Sequence, residues 1–267
     1  MSAAIEFRDI SYITKQNRAL LSNISLSIEE GSVTAILGRS GSGKTTLLRT
    51  VNRMIEPTSG EVRVSNQSVQ SVDIIALRRS IGYVIQETGL FPHFTVERNA
   101  GTVLESSGIP KTERIRRSHE LLNAVGLDSN QFAARYPHQL SGGQRQRVGI
   151  ARALAAKPST LLMDEPFGAL DPLTRIEMQD MLLQLLKSRA AQTRTTVLMV
   201  THDLDEALYL ADRIVLMDTG NLVADLTPAE FLQSQQQNVA DYVRAFHRGE
   251  RNRAASRGQI RTREDRA

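Results

Sequence analysis

Eight consecutive residues, Gly38-Arg39-Ser40-Gly41-Ser42-Gly43-Lys44-Thr45, fit the G-x-x-x-x-G-K-[ST] template at every fixed position. The chemistry of such a stretch is anion binding. Glycines let consecutive backbone N–H groups turn inward on a phosphate, and the helix that follows presents its positive end to the same anion. Lys44 adds a point charge for β- and γ-phosphates, and the Thr45 hydroxyl can ligate Mg²⁺. Further along, Asp164-Glu165 closes the apolar run Leu161-Leu162-Met163. Asp164 stands where a Mg²⁺-associated carboxylate would sit, and Glu165, expected on the other side of the pleat, could polarise an attacking water. His202 follows a second apolar run, Thr196–Val200, at the end where parallel-sheet ligands bind. A phosphate loop alone does not separate a kinase, a GTPase and a transport ATPase.

These residues need a sheet to hold them. Ala4–Tyr12 and Ala19–Ile28 read as strands, and Ser32–Leu37 is a short β-rich run that ends at the glycine loop. Lys44–Met54 reads as the helix after the loop, Gly60–Val64 as a strand after the Pro57-Thr58-Ser59-Gly60 turn, and Ile81–Ile85 as another strand. Residues ~95 to ~156 are mostly helical by pattern, with Leu121, Leu122, Val125 and Leu127 near helical spacing and Pro110 and Pro137 as punctuation. The α/β alternation then returns: a strand to Met163, a helix from ~Leu173 to ~Ser188, strand Thr196–Val200, helix Asp203–Leu210, and strands Arg213–Met217 and Leu222–Ala224. The expected fold is therefore α/β, with a β-rich amino-terminal part, a parallel-sheet core and an inserted helical subdomain. No internal repeat interrupts it.

A chain of 267 residues with 40% hydrophobic content can bury one sizeable core. There is no cysteine, which excludes a disulfide framework and a thiolate metal site and makes the cytosol the natural compartment. The amino terminus shows no signal-peptide pattern, and no apolar run approaches the roughly 20 residues that span a bilayer. The net charge of +4 is a property of one end. Residues 248–267 hold seven arginines against Glu250, Glu264 and Asp265, whereas residues 1–247 balance at 26 basic and 26 acidic groups. The division expected is a folded domain over 1–247 and an Arg-rich, disordered tail over 248–267. A specific nucleic-acid partner is not expected from a core so balanced.

Taken in order, the motifs resemble the nucleotide-binding subunits of ATP-binding cassette transporters over about residues 5–245. They are the phosphate loop at 38–45, Gln86 after its strand, Leu140-Ser141-Gly142-Gly143-Gln144, Leu161–Glu165, Ala169-Leu170-Asp171, and His202. The pentapeptide at 140–144, followed by Arg145-Gln146-Arg147, is the most specific of these. The resemblance implies a P-loop NTPase fold of ABC type, ATP and Mg²⁺ as ligands, and hydrolysis with Glu165 as base beside Gln86 and His202. It assigns the metal to Thr45, Gln86 and Asp164, and the phosphates to residues 38–45 with Thr46. It further implies that Ser141, Gly142, Gly143 and Gln144, at the start of helix Gln144–Leu154, form a second anion site that closes on ATP held by another copy, with Asp171 joining the two sites. Asp171 beside Pro172 also reads as a helix N-cap.

Two departures stand out. An adenine-stacking aromatic is usual where Thr14 or Lys15 falls, and Tyr12 is the nearest aromatic; many relatives carry glutamate at Arg98. The stretch from Val84 to His93 and that from Met163 to Arg175 resemble the importer branch for osmoprotectants and quaternary amines such as glycine betaine, choline or carnitine. The implied partners are a second ATPase subunit, identical or paired, integral membrane permeases, and a substrate-binding protein acting through them. The implied place is the cytoplasmic face of the plasma (inner) membrane. The alternatives are an importer ATPase for amino acids or another small solute, and a soluble clamp acting on nucleic acid or the ribosome.

Overall fold

In the computed structural model, which describes residues 3–86, 88–189 and 195–248, two sheets and a helical block enclose two apolar cores. The first sheet is antiparallel in the order β2-β1-β4-β5, built from β1 (Ala3–Ile13), β2 (Ala19–Glu29), β4 (Ser59–Val64) and β5 (Gln67–Ser68). The second has six strands in the order β10-β9-β3-β8-β7-β6. In it β3 (Val33–Leu37), β6 (Ile81–Val84), β7 (Thr160–Asp164), β8 (Thr196–Val200) and β9 (Arg213–Asp218) run parallel, and β10 (Asn221–Leu226) returns antiparallel on β9.

Because successive side chains on a strand face opposite ways, the second sheet feeds both cores. Ile36, Leu162, Leu198 and Val200 face the antiparallel sheet and sandwich helix α1 (Lys44–Val51) through Leu47, Leu48 and Val51. Leu37, Leu161, Met163, Val197 and Met199 face the remaining helices. Strands β7 and β8 are buried at every residue, as expected of parallel strands covered on both faces.

Between β6 and β7 lie α3 (Val96–Ala100), α4 (Thr102–Ser106), α5 (Lys111–Ala124), α6 (Ser129–Phe132), a 3₁₀ turn (Pro137–Gln139) and α7 (Gly142–Leu154). After β7 come α8 (Pro172–Arg189), α9 (Leu204–Leu210), α10 (Pro228–Gln233) and a last helix, α11, over 237–248. Sequence patterning assigns no element to β5, to α2 (Ile74–Ser80), to α10 or to α11. The tail expected at 248–267 lies, apart from its first residue, outside the described residues.

Several boundaries differ from those expected: α7, capped by Ser141, starts at Gly142 and not Gln144, and β10 spans Asn221–Leu226. Helix α1 stops at Val51, not Met54, because Arg53 turns left-handed at φ 51° and the Met54 and Ile55 N–H groups both fold back on the Arg49 carbonyl. Strand β6 ends at Val84, one residue early. Glu165 is not on the pleat: β7 ends at Asp164, and Glu165 takes φ 45° with its N–H on the Val200 carbonyl at 2.9 Å.

Candidate active site

Strands β3, β6, β7 and β8 all point their carboxyl ends to one edge of the sheet, and Gly38, Gln86, Glu165 and His202 follow those ends. A crossover on either side of β3 opens the crevice in which open α/β sheets bind ligands. The loop itself depends on its glycines. A Cβ at Gly38 would come within 2.2 Å of the Met217 carbonyl oxygen, and Gly43, which N-caps α1 at φ 100°, would place one 2.6 Å from the Leu20 carbonyl. Only glycine tolerates both the approach and the left-handed backbone.

A cavity of about 550 Å³ sits over the loop, lined by Ser40, Gly41, Ser42, Gly43, Lys44, Thr45, Thr46, Leu20, Gln86, Glu165 and His202. Lys44 is buried, and its ammonium donates to the carbonyls of Gly38 and Arg39 at 2.7 and 2.9 Å, closing the loop on itself. Burial lowers its pKa, and the nearby Glu165 and Asp164 oppose that shift. The Ser42 hydroxyl, 3% exposed, has no protein partner. An unpaired hydroxyl within the glycine loop is suited to a phosphate oxygen.

Asp164 is buried beneath the cavity and gathers three donors: Thr45 Oγ1 at 2.8 Å, Arg49 Nη2 at 3.3 Å and the Tyr83 hydroxyl at 3.4 Å. Burial raises the Tyr83 phenol, keeping it a donor. Thr45 and Asp164 together fit Mg²⁺, which takes one or two protein oxygens and fills its octahedron with water and phosphate. No cluster of three His, Cys, Asp or Glu side chains is present among the described residues.

Glu165 stands opposite the loop. Its Oε2 receives Gln86 Nε2 at 3.2 Å and lies 3.3 Å from His202 Nδ1. Two side chains from the segments that follow β6 and β8 thus converge on one carboxylate oxygen. That arrangement can hold a water between a base and an incoming phosphoryl group.

Other expected residues lie elsewhere. Tyr12 packs against the core of the antiparallel sheet and does not line the cavity; Leu20 does. Arg39 lines a separate small cavity. Ser141, Gly142, Gly143, Gln144 and Asp171 do not line the cavity of their own chain. Ser141 N-caps α7 in a capping box with Gln144, Ser141 Oγ accepting Gln144 N–H at 3.2 Å and Gln144 Oε1 accepting Ser141 N–H at 3.0 Å. Ser141 and Gly142 are exposed, so the positive end of α7 faces outward. Asp171 accepts the Thr174 N–H at 3.1 Å, and hydrogen bonding by the Thr174 side chain, then by that N–H, holds its carboxyl below the usual range.

Arg98 stacks on Phe94 at 3.7 Å and pairs with Glu105 at 3.3 Å, so its charge is met within the chain. A cavity of about 360 Å³ opens beside it among Thr95, Glu97, Lys111, Arg114 and Ser118.

Sequence reasoning misses the residues that hold the loop after Gln86. Arg152, in α7, donates to the carbonyls of Gly89 and Thr88, both at 2.7 Å. Asn99, fully buried in α3, accepts the Phe91 N–H at 2.8 Å and donates to the carbonyls of Phe91, Phe94 and Thr95. Neither residue type marks its position in the sequence as a loop anchor.

A glycine loop between β3 and α1, with Asp164 and Glu165 at the carboxyl end of the parallel strand β7, defines a P-loop nucleotide-binding protein. Residues 21–168 match the family model described as ABC transporter. The chain is 44% identical over 242 residues to the glycine betaine uptake system ATP-binding protein YehX of Escherichia coli, covering 91% of this chain and 76% of that one. It is 43% identical over 230 residues to the glycine betaine/carnitine/choline transport ATP-binding protein OpuCA of Bacillus subtilis, covering 86% of this chain and 59% of the relative. Among solved structures, the dimeric ATP-binding cassette MJ0796 in a post-hydrolysis state bound to ADP and Pi superimposes with a TM-score of 0.75 at 33% identity, over 84% of this chain and 98% of that one. The chain belongs to the ABC transporter family.

Proposed function

We propose that this chain is the ATP-hydrolysing subunit of an importer that takes up a quaternary-amine osmoprotectant such as glycine betaine, choline or carnitine. The observation that carries the chemistry is the convergence of Gln86 and His202 on Glu165 Oε2 across a cavity from Lys44. In this reading Glu165 takes the proton of the water that attacks the γ-phosphorus, Gln86 orients that water, and His202 faces the transferring group. Lys44 and the loop N–H groups, with the Thr46 end of the cradle, hold the phosphates. Thr45, Asp164 and Gln86 would hold Mg²⁺, which when bound neutralises charge on the β- and γ-oxygens.

The outward-facing start of α7 supports a site completed by a second subunit, identical or paired. There Ser141, Gly142, Gly143 and Gln144 close on nucleotide held by the partner, and Asp171 lies where the two sites meet. Such closure uses the difference in ATP affinity between open and closed states to move a permease. The proposed contact for that permease is the region from Gln86 to Val96, with a binding protein delivering solute and the assembly at the cytoplasmic face of the plasma membrane. Among the described residues no helix is long and apolar enough to cross a membrane. The solute class is supported by the names of the relatives in glycine betaine, carnitine and choline systems.

The test is uptake of radiolabelled glycine betaine, choline and an amino-acid panel in cells lacking this protein, complemented by wild type or by Glu165→Gln. Loss of quaternary-amine uptake, restored by wild type alone, is the expected result. A fall confined to amino acids overturns the solute class. No change in any uptake favours a soluble clamp on nucleic acid or the ribosome.

A further inference from the structure

The last helix, α11, lies beyond the residues matched by the family model and reaches the back of the active site. Val239, Tyr242, Val243 and Phe246 recur at helical spacing and pack against the core on the helical face of the parallel sheet, with Val239 fully buried. Tyr242 extends from this stripe to the loops that follow β3 and β8. Its hydroxyl donates to the His202 backbone carbonyl at 3.4 Å and also faces the Gly38 backbone. Burial pushes the phenol up, so it remains protonated and a donor at any physiological pH. A cavity of about 160 Å³ beside it is lined by Arg39, Met217, Asp218 and Asp241 among others.

The residues on either side of His202 are fixed from within the core. Thr201 donates its N–H to the Ile36 carbonyl at 3.1 Å and its hydroxyl to Glu206 at 2.6 Å. Asp203 N-caps α9 and pairs with Arg175 at 2.8 Å. The His202 imidazole itself is 62% exposed. An exposed ring takes its aim from its main chain, and that main chain meets Tyr242.

We propose that Tyr242 is a positioning residue for His202: from α11, its hydroxyl fixes the His202 peptide so that Nδ1 stays turned to Glu165, an inference that rests on the ATPase reading above. Docking of the carboxyl-terminal helix is thereby felt at the point where the γ-phosphate would lie. Residues distant from the loop in sequence then become part of the machinery that sets turnover.

The test uses the full-length chain and Tyr242→Phe, which removes the hydroxyl and keeps the packed ring. ATP turnover is measured in that variant, in His202→Ala and in the double variant. The expected result is a fall in kcat of about 3- to 10-fold with KM for ATP within about 2-fold, the effect of one hydrogen bond. In the His202→Ala background the same change is expected to cost less than about 2-fold, because coupled residues are not additive. An equal fall in both backgrounds, or no fall in wild type, overturns the proposal. A second readout needs no turnover: the His202–Asp203 peptide is the sequence's single His-Asp pair, so selective labelling isolates its carbonyl ¹³C resonance. Absence of turnover in wild type counts against the ATPase reading, and the resonance then decides the positioning role. A shift in Tyr242→Phe without nucleotide supports it, and an unmoved resonance overturns it.

Discussion

Arg152 donates from Nη1 to the Gly89 carbonyl at 2.7 Å, so the end of α7 holds the turn that follows Gln86. Its Nη2 donates to the Thr88 carbonyl at the same distance, and both held residues are left-handed, at φ 50° and 52°. Burial lowers the pKa of this guanidinium, and its two acceptors are main-chain oxygens. One helix thus carries Ser141 and Gly142 at its exposed start and the anchor of the Gln86 loop at its other end. A shift of α7 on meeting a second subunit would move both.

Replacing Arg152 with methionine keeps much of the apolar stem and removes both bonds. Charge-assisted hydrogen bonds contribute about 1.5–3 kcal/mol each. Turnover is expected to fall by roughly tenfold or more, whereas affinity for a fluorescent nucleotide analogue, which reads Lys44 and the glycine loop, stays within about 2-fold. Equal losses of affinity and turnover would show that the loop is not held in this way.

Glu165→Gln keeps the size of the side chain and removes the base. Loss of a general base lowers turnover by about 10²- to 10⁴-fold. Binding of Mg²⁺ and ATP is expected to persist, and size-exclusion chromatography with ATP should show a dimer that wild type populates only transiently. Retained turnover in the glutamine variant would displace Glu165 from the role of base.

Asp164→Asn tests the metal assignment. The carboxylate holds Thr45 Oγ1, Arg49 and Tyr83 together, and an amide offers a single acceptor oxygen. The Mg²⁺ concentration for half-maximal turnover is expected to rise by about tenfold, the usual size of a lost ligand or ligand-orienting contact. An unchanged Mg²⁺ titration would remove Asp164 from the metal site.

What could be read in advance was whatever a fixed spacing imposes. The phosphate loop is legible because Gly38 and Gly43 meet backbone atoms at distances no Cβ allows, and β7 and β8 because the apolar runs Leu161–Met163 and Val197–Val200 need cover on both faces. Glu165 defeats the alternation rule: the residue after Asp164 continues the pattern on paper, yet the chain turns left-handed there. Arg152 and Tyr242 are not legible, since each works on the backbone of a segment that only the fold brings near, and Asn99 is not because its burial is set by the fold. A main-chain carbonyl has no letter in the sequence.

Glu206 gives the last expectation. It is buried on α9, where Thr201 donates to it at 2.6 Å and Arg175 lies 3.9 Å away. Burial raises its pKa above the ordinary 4.5, against the opposing pull of the Thr201 bond, with Asp203 adding to the rise. A carboxyl with a raised folded-state pKa binds more protons folded than unfolded, so its contribution to stability is fully present below 4.5 and is lost as pH rises through the folded value. Glu206→Gln keeps an acceptor for Thr201 and cannot ionise. Thermal denaturation followed from pH 4.5 upward should therefore show wild type losing stability relative to the variant as pH increases, with the two levelling to parallel curves once the wild-type carboxyl is ionised. Parallel curves over the whole range would mean that Glu206 titrates alike in the folded and unfolded chain, and that water or Arg175 compensates its burial fully.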